Sequence, residues 1–285
     1  MAIDTKHSSV IFDRLEQDLV KLSSKPRAGE IHRFRTDTRR VQTLLSKLSP
    51  KLDRNQKKLL KLLSRIRKRA GQVRDLDVQL AALRALKTAR EPRRKTQLVN
   101  HLIELRGLQE KKLKKAVDED AVREICKRLK RASKNFSPEA SRDPLAVARG
   151  MLVSIDRADA PLTEAVLHQY RILSKRARYA AEFAGKSPEA AEFIAGLKRI
   201  QDAVGDWHDW LTLTNTASEN LGDVRESSLV AELHNVTGAK FRHAVAILSK
   251  FRGAQSPSKP TAAAESPRRA PAAPVAKDRS TTSAA

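Results

Sequence analysis

Apolar residues recur at helical spacing through most of this chain, and that periodicity narrows its fold more than any other feature. Ile11, Leu15, Leu19 and Leu22 stand four, four and three residues apart, so they form one stripe on one helix, which Pro26 and Gly29 close. Further helices are expected from Glu30 to Leu48, then over about 54–70, 72–88, 93–116 and 119–133. After a break the pattern resumes over about 145–156, 162–184, 188–203, 206–220 and 226–250. Long Leu, Ala, Lys, Arg and Glu runs with ten Gly, seven Phe and two Tyr argue against sandwiches and barrels. The expected class is all-α.

Residues 135–143, with Pro138, read as a connection between two halves, about 8–134 and 144–252. From Gly253 the chain turns to Ala, Pro and Ser with almost no large apolar side chain, so residues 253–285 are expected to be a disordered basic tail outside a folded unit of 1–252. The halves resemble each other. The segment from His32 to Arg40 aligns with that from His168 to Arg176 at an offset of 136, and Gly71 to Asp75 aligns with Gly205 to Asp209 at an offset of 134. Two motifs in the same order at nearly one offset indicate a duplicated helical unit.

Charge supplies the functional constraint. The 57 Lys and Arg against 33 Asp and Glu leave +24 at neutral pH, an excess that opposes compaction and calls for a polyanionic partner. The tail carries +3 of it, so the signal belongs to the folded part. On a helix of 3.6 residues per turn, His32, Arg35 and Arg39 project from one narrow face, while Arg40 stands roughly a quarter-turn away from it. His168, Arg171, Lys175 and Arg178 repeat this stripe and add a turn, with Tyr179 beside it. Stacked cations repel, and a face needed only for solubility would interleave Glu at i+4. A third stripe, Lys57, Lys61, Arg65 and Lys68, lies in the block from Lys51 to Lys95, which holds sixteen basic and four acidic residues. Arg offers phosphate a planar two-point contact and Lys a mobile point charge. Arg74 extends the set, while Asp75, Asp77 and Asp209 read as orienters of neighbouring bases or as helix caps.

Other chemistries find less support. One cysteine, Cys126, rules out an intramolecular disulfide framework. No glycine-rich phosphate loop is present, and aromatics are too few for single-strand readout, Trp207 and Trp210 reading as core. A metal site built on His208, Asp209 and His32 or His168 is a minor alternative, and no metal or cofactor is expected. Met-Ala-Ile-Asp-Thr-Lys-His is no export signal, and no long apolar window suggests a membrane span, so the expected location is the cytoplasm.

The segments IHRFRTDTRRVQTLL, GQVRDLDVQL, LHQYRILSKRARYAAEFAG and IQDAVGDWHD together resemble the four signatures of the CHAD family, the conserved-histidine α-helical domain, in the family's order and over about residues 8–250. That resemblance implies two four-helix bundles related by pseudo-twofold symmetry, with a central basic channel that binds inorganic polyphosphate. It assigns the contacts to His32, Arg35, Arg39, Arg40, Arg74, His168, Arg171, Lys175, Arg178 and Tyr179. The sequence departs from the repeat at His208, which stands where the first half has Arg74. No triphosphatase domain of the kind that often accompanies the family is seen, so the expectation is a non-enzymatic binder at polyphosphate granules. Non-specific binding of DNA or RNA is the alternative, with a metal-dependent phosphohydrolase behind it.

Overall fold

The computed structural model describes residues 3–255 apart from 4, 25, 50, 88–90, 138, 140–141, 154, 156–160 and 186. Among the described residues there are nine helices and no strand. They are α1 (Thr5–Ser24), α2 (Ala28–Lys47), α3 (Arg54–Ala85), α4 (Pro92–Lys114), α5 (Glu119–Lys134), α6 (Pro144–Val153), α7 (Glu164–Ala181), α8 (Pro188–Leu221) and α9 (Ser228–Gln255). The starts are locally encoded. Asp53 accepts from the Gln56 amide at 2.6 Å while the Gln56 side chain accepts from the Asp53 amide at 3.1 Å, a reciprocal cap for α3. Asp118, Thr163 and Ser187 cap α5, α7 and α8 in the usual way, the last followed by Pro188 at the first helical position.

Two expected breaks do not occur. The pairs 54–70 with 72–88 and 188–203 with 206–220 fuse into the single helices α3 and α8, of 32 and 34 residues, with Gly71 and Gly205 inside them. An isolated glycine lowers helix propensity by about 1 kcal/mol, too little to stop a helix packed on both sides of it. Each long helix serves two cores. In α3, Leu59, Leu63, Ile66, Ala70 and Val73 face a core shared with α1, α2 and α5, whereas Leu80 and Leu83 face another. In α8, Leu197, Ile200, Val204 and Trp207 pack with α6, α7 and the end of α9, and Leu213, Ala217 and Leu221 join Leu80 and Leu83. Among the described residues there are thus three cores: the first also takes Leu113 from the end of α4, and the third, of Leu80, Leu98, Leu102, Leu213, Leu229 and Leu233, joins α3 and α4 to α8 and α9.

Helix α2 packs on α7, and α3 on α8. Polar locks reinforce this. Glu91, at the left-handed φ of 49°, accepts from the Ser227 hydroxyl at 2.8 Å and the Leu229 amide at 3.0 Å, so a side chain preceding α4 caps α9. Arg94 donates to the Leu221 carbonyl at 3.0 Å, and Phe183, just beyond the end of α7, is buried in the first core. The helix α9 continues to Gln255, past Gly253 and into the segment expected to be tail; residues 256–285 lie outside the described residues.

Candidate polyanion-binding site

The meeting of α2 with α7 leaves two cavities, one of about 970 Å³ and one of about 610 Å³. Arg39, Arg171, Lys175 and Tyr179 line both. The larger cavity gathers His32, Arg35, Arg40, Arg74, Asp75, Arg178 and Asp209 from α2, α3, α7 and α8. The two histidine-led motifs, 136 residues apart in sequence, thus contribute to one space. Missing from both cavities are Lys57, Lys61, Arg65 and Lys68, which stand on the solvent side of α3, and His168, which is exposed at the far end of the α7 stripe.

The face of α3 that meets the cavities is Leu60, Ser64 and Arg67, then Arg74, Asp75 and Val78, with Gly71 between them. Arg67 was not singled out from sequence. Its signal is the spacing of three, four and three through Ser64, Arg67, Gly71 and Arg74, visible only when α3 is read as one uninterrupted helix. Arg35 packs over the α3 backbone at Gly71, where an added methyl would make ordinary van der Waals contact, 3.8 Å from its guanidinium carbon. Lys47 and Arg176, also unremarked in the sequence, edge the smaller cavity.

Four of the acids and bases form a repeated pair. Arg35 Nη1 lies 3.4 Å from Asp75 Oδ1, and Arg171 Nη2 lies 3.9 Å from Asp209 Oδ1, residues at matching positions of the aligned sequence motifs. Both contacts are long, so each carboxylate holds its arginine loosely and leaves most guanidinium donors unused. Arg67 Nε and Arg171 Nε are buried without a hydrogen-bond acceptor, while Arg178 Nε has only a long ion pair with Glu182 at 3.5 Å. Arg40 differs: it donates at 2.7 Å to Asp37 and at 2.7 Å to Glu182, and so ties α2 to the end of α7. Asp77 lies apart from the cluster, accepting from Arg106 of α4 at 2.6 Å. Tyr179 is buried beneath two cations, with Arg178 5.1 Å and Arg40 5.9 Å from its ring centre.

Burial without enough counter-charge disturbs the titration of this group. Burial, then Arg171 and Arg39, push the Lys175 ammonium down to about 7. Burial followed by Arg74, Arg35 and Lys175 lowers His32, and burial with neighbouring guanidinium groups lowers Arg39, Arg67 and Arg171. Burial and Arg171 push His208 down to about 4, so its ring is neutral near neutral pH; it stacks on His168 at 5.6 Å and touches neither cavity. Burial also raises Asp209, against the pull of Arg171 and Lys175. Chemically, the space holds converging donors whose charged forms are disfavoured by burial and by one another, an arrangement that an anion relieves. Among the described residues no group of three or more His, Cys, Asp or Glu is placed to hold a metal, and no helix is long and apolar enough to cross a membrane.

A family model described as CHAD domain matches residues 12–218. Two solved structures share the fold. The CHAD domain from the plant Ricinus communis has a TM-score of 0.61 at 16% identity, covering 86% of this chain and 88% of that one. PptA from Streptomyces chartreusis has a TM-score of 0.61 at 17% identity, covering 90% of this chain and 99% of that one. No curated protein is a significant match to the sequence.

Proposed function

The chain belongs to the CHAD domain family, and from that premise we propose that it binds inorganic polyphosphate in a basic channel of which the two cavities are the ends. The observation that carries this reading is the shared wall: Arg39, Arg171, Lys175 and Tyr179 bound both spaces, so a slender chain in one cavity meets the same donors from the other. Enclosure favours polyphosphate over nucleic acid. A duplex, whose major groove alone is about 12 Å wide, needs cations on an open or groove-matching surface, whereas these stand between packed helices. A flexible, unbranched anion with no bases to accommodate fits that setting, and arginine supplies paired donors to its phosphate oxygens.

In this reading the helical unit is duplicated about a pseudo-twofold, each half giving one histidine-led helix and one Arg–Asp pair to the channel. The protein acts by binding, without turnover, and is cytoplasmic, associating with polyphosphate granules. The test is competition between long polyphosphate and duplex DNA for the purified protein at fixed salt, with orthophosphate release followed in the presence of Mg²⁺ or Mn²⁺. Polyphosphate should displace DNA at much lower phosphate concentration, with no release of orthophosphate. Preferential retention of DNA, or metal-dependent phosphate release, would refute the proposal.

A further inference from the structure

The two cavities differ in what surrounds them. Six carboxylates, Asp18, Asp37, Asp75, Asp202, Asp206 and Asp209, line the larger one, whereas the residues lining the smaller one include no carboxylate. The exposed rim of the smaller cavity carries Lys47 from the end of α2 and Arg176 from α7. Beside them, Leu60, Ser64 and Arg67 bring α3 to the same opening.

The next residues of α3, Lys61, Arg65 and Lys68, sit about 100° further round the helix and face solvent, with Lys57 a turn before them. The face on the other side of the opening, Leu59, Leu63 and Ile66, is buried in the first core, so the route out of the cavity along α3 leads onto the cations. Lys57, Lys61, Arg65 and Lys68 span about 16 Å and form no ion pair among the described residues. Lys58, one residue away, already pairs with Glu124 at 3.6 Å. Acids are absent from α3 between Arg54 and Arg74.

Net charge is just as one-sided. Residues 1–134 hold 37 Lys and Arg against 16 Asp and Glu, a net +21, while residues 144–252 hold 14 against 13, a net +1. Both halves line the cavities, yet one alone carries a strong excess of positive charge. A channel by itself gives no reason for that asymmetry.

We propose that the exposed face of α3 is a second polyphosphate-binding surface, continuous with the smaller cavity, along which a chain leaving the channel is held on the outside of the first half. This rests on the channel reading above and adds a polarity to it: a long chain emerges past Lys47 and Arg176 rather than through the carboxylate-lined opening. Lysine predominates on the track, and mobile point charges suit a chain that lies on a surface in many registers. The protein therefore gains affinity with chain length after the channel is filled.

The experiment compares tripolyphosphate, which the cavities contain whole, with long-chain polyphosphate and with duplex DNA. The full chain is tested as wild type, as a track variant (Lys57→Gln, Lys61→Gln, Arg65→Gln, Lys68→Gln) and as a channel variant (Arg39→Gln, Lys175→Met). The track variant should hold tripolyphosphate within about twofold of wild type and lose about tenfold or more on long chains, its salt slope for them falling by roughly 3, near 0.7 per removed contact. The two-site variant Lys61→Gln, Arg65→Gln should give about half that slope change, a check that survives any folding defect in the fourfold variant. Equal losses on both lengths, an unchanged affinity for long chains, or a loss confined to duplex DNA would each overturn the track. Failure of the channel reading looks different: the channel variant would then bind tripolyphosphate as wild type does.

Discussion

Replacing Lys175 with methionine should stabilise the empty protein at neutral pH while weakening its hold on polyphosphate. Lys175 stands between Arg39 and Arg171 on the wall common to both cavities, and burial with those neighbours holds its ammonium at about 7 against an ordinary 10.5. The folded-state value is depressed, so the unfolded chain binds the proton more tightly, and folding is penalised wherever the group is charged. The penalty is fully present below pH 7 and fades as pH rises towards 10.5. At about 1.4 kcal/mol per decade of acidity this is roughly 4 kcal/mol at pH 7. Water and buffer anions entering the cavity lessen it, so a gain of about 2 kcal/mol is expected from a variant that keeps the unbranched stem and drops the charge. For a folded region of this size that is several degrees, at roughly 2–4 °C per kcal/mol.

The assay is thermal unfolding by circular dichroism at pH 7 and pH 10 in dilute, non-phosphate buffer, with and without long polyphosphate. Lys175→Met should melt above wild type at pH 7, and the difference should shrink towards zero at pH 10. Polyphosphate at a hundredfold excess over its dissociation constant should stabilise wild type by about 2.7 kcal/mol, and the same concentration should stabilise the variant less. A variant that melts below wild type at pH 7, or one with the same advantage at both pH values, would refute the view that Lys175 is an uncompensated cation.

Other perturbations separate binding from architecture. Polyphosphate binding should take up protons between about pH 7 and 9, since the anion restores Lys175 towards its ordinary value; affinity should fall as pH rises through that window, and titrations in buffers of different ionisation heat should lose this uptake in Lys175→Met. Arg40→Ala leaves Asp37 unpaired and Glu182 with only the longer Arg178 contact at 3.5 Å, so it should cost about 2 kcal/mol of stability and change affinity less than Arg39→Ala; the reverse pattern in melting and binding would place Arg40 in the site. Gly205→Ala meets nothing within 4 Å inside an unbroken α8, so it should raise stability by about 0.5–1 kcal/mol, whereas a true helix break there would make it destabilising.

The helical class and most helix ends could be read from local features, because periodicity, proline and capping residues act within a few positions along the chain. The stripes on α2 and α7 were legible for the same reason. The α3 stripe was harder. Lys57, Lys61, Arg65 and Lys68 form the more regular cationic row, yet Ser64, Arg67, Gly71 and Arg74 turn towards the cavities. Rotation of α3 is fixed by Leu59, Leu63 and Ile66 against the first core and by Leu80 and Leu83 against the third, and a reading that ended the helix at Gly71 had lost that register. Asp77 and Asp75 illustrate the same limit. Two positions apart on a helix, they point about 200° from each other, one to Arg106 and the other to Arg35.

The basic residues of the two cavities differ in how far the protein itself neutralises them. Arg40 already has two carboxylates within 2.7 Å, and any phosphate reaching it must compete with both. Arg35 and Arg171 have one loosely held acid each, while Arg67 Nε and Arg171 Nε have no acceptor. The free energy available to a ligand is therefore greatest around Arg39, Arg67, Arg171 and Lys175, where the protein left charge uncompensated. A cavity whose cations had all been neutralised internally would make a more stable protein and a poorer binder. Asp75 and Asp209 sit between these extremes, near enough to orient their arginines and too far to satisfy them, which is where a group must stand if an incoming anion is to finish the neutralisation.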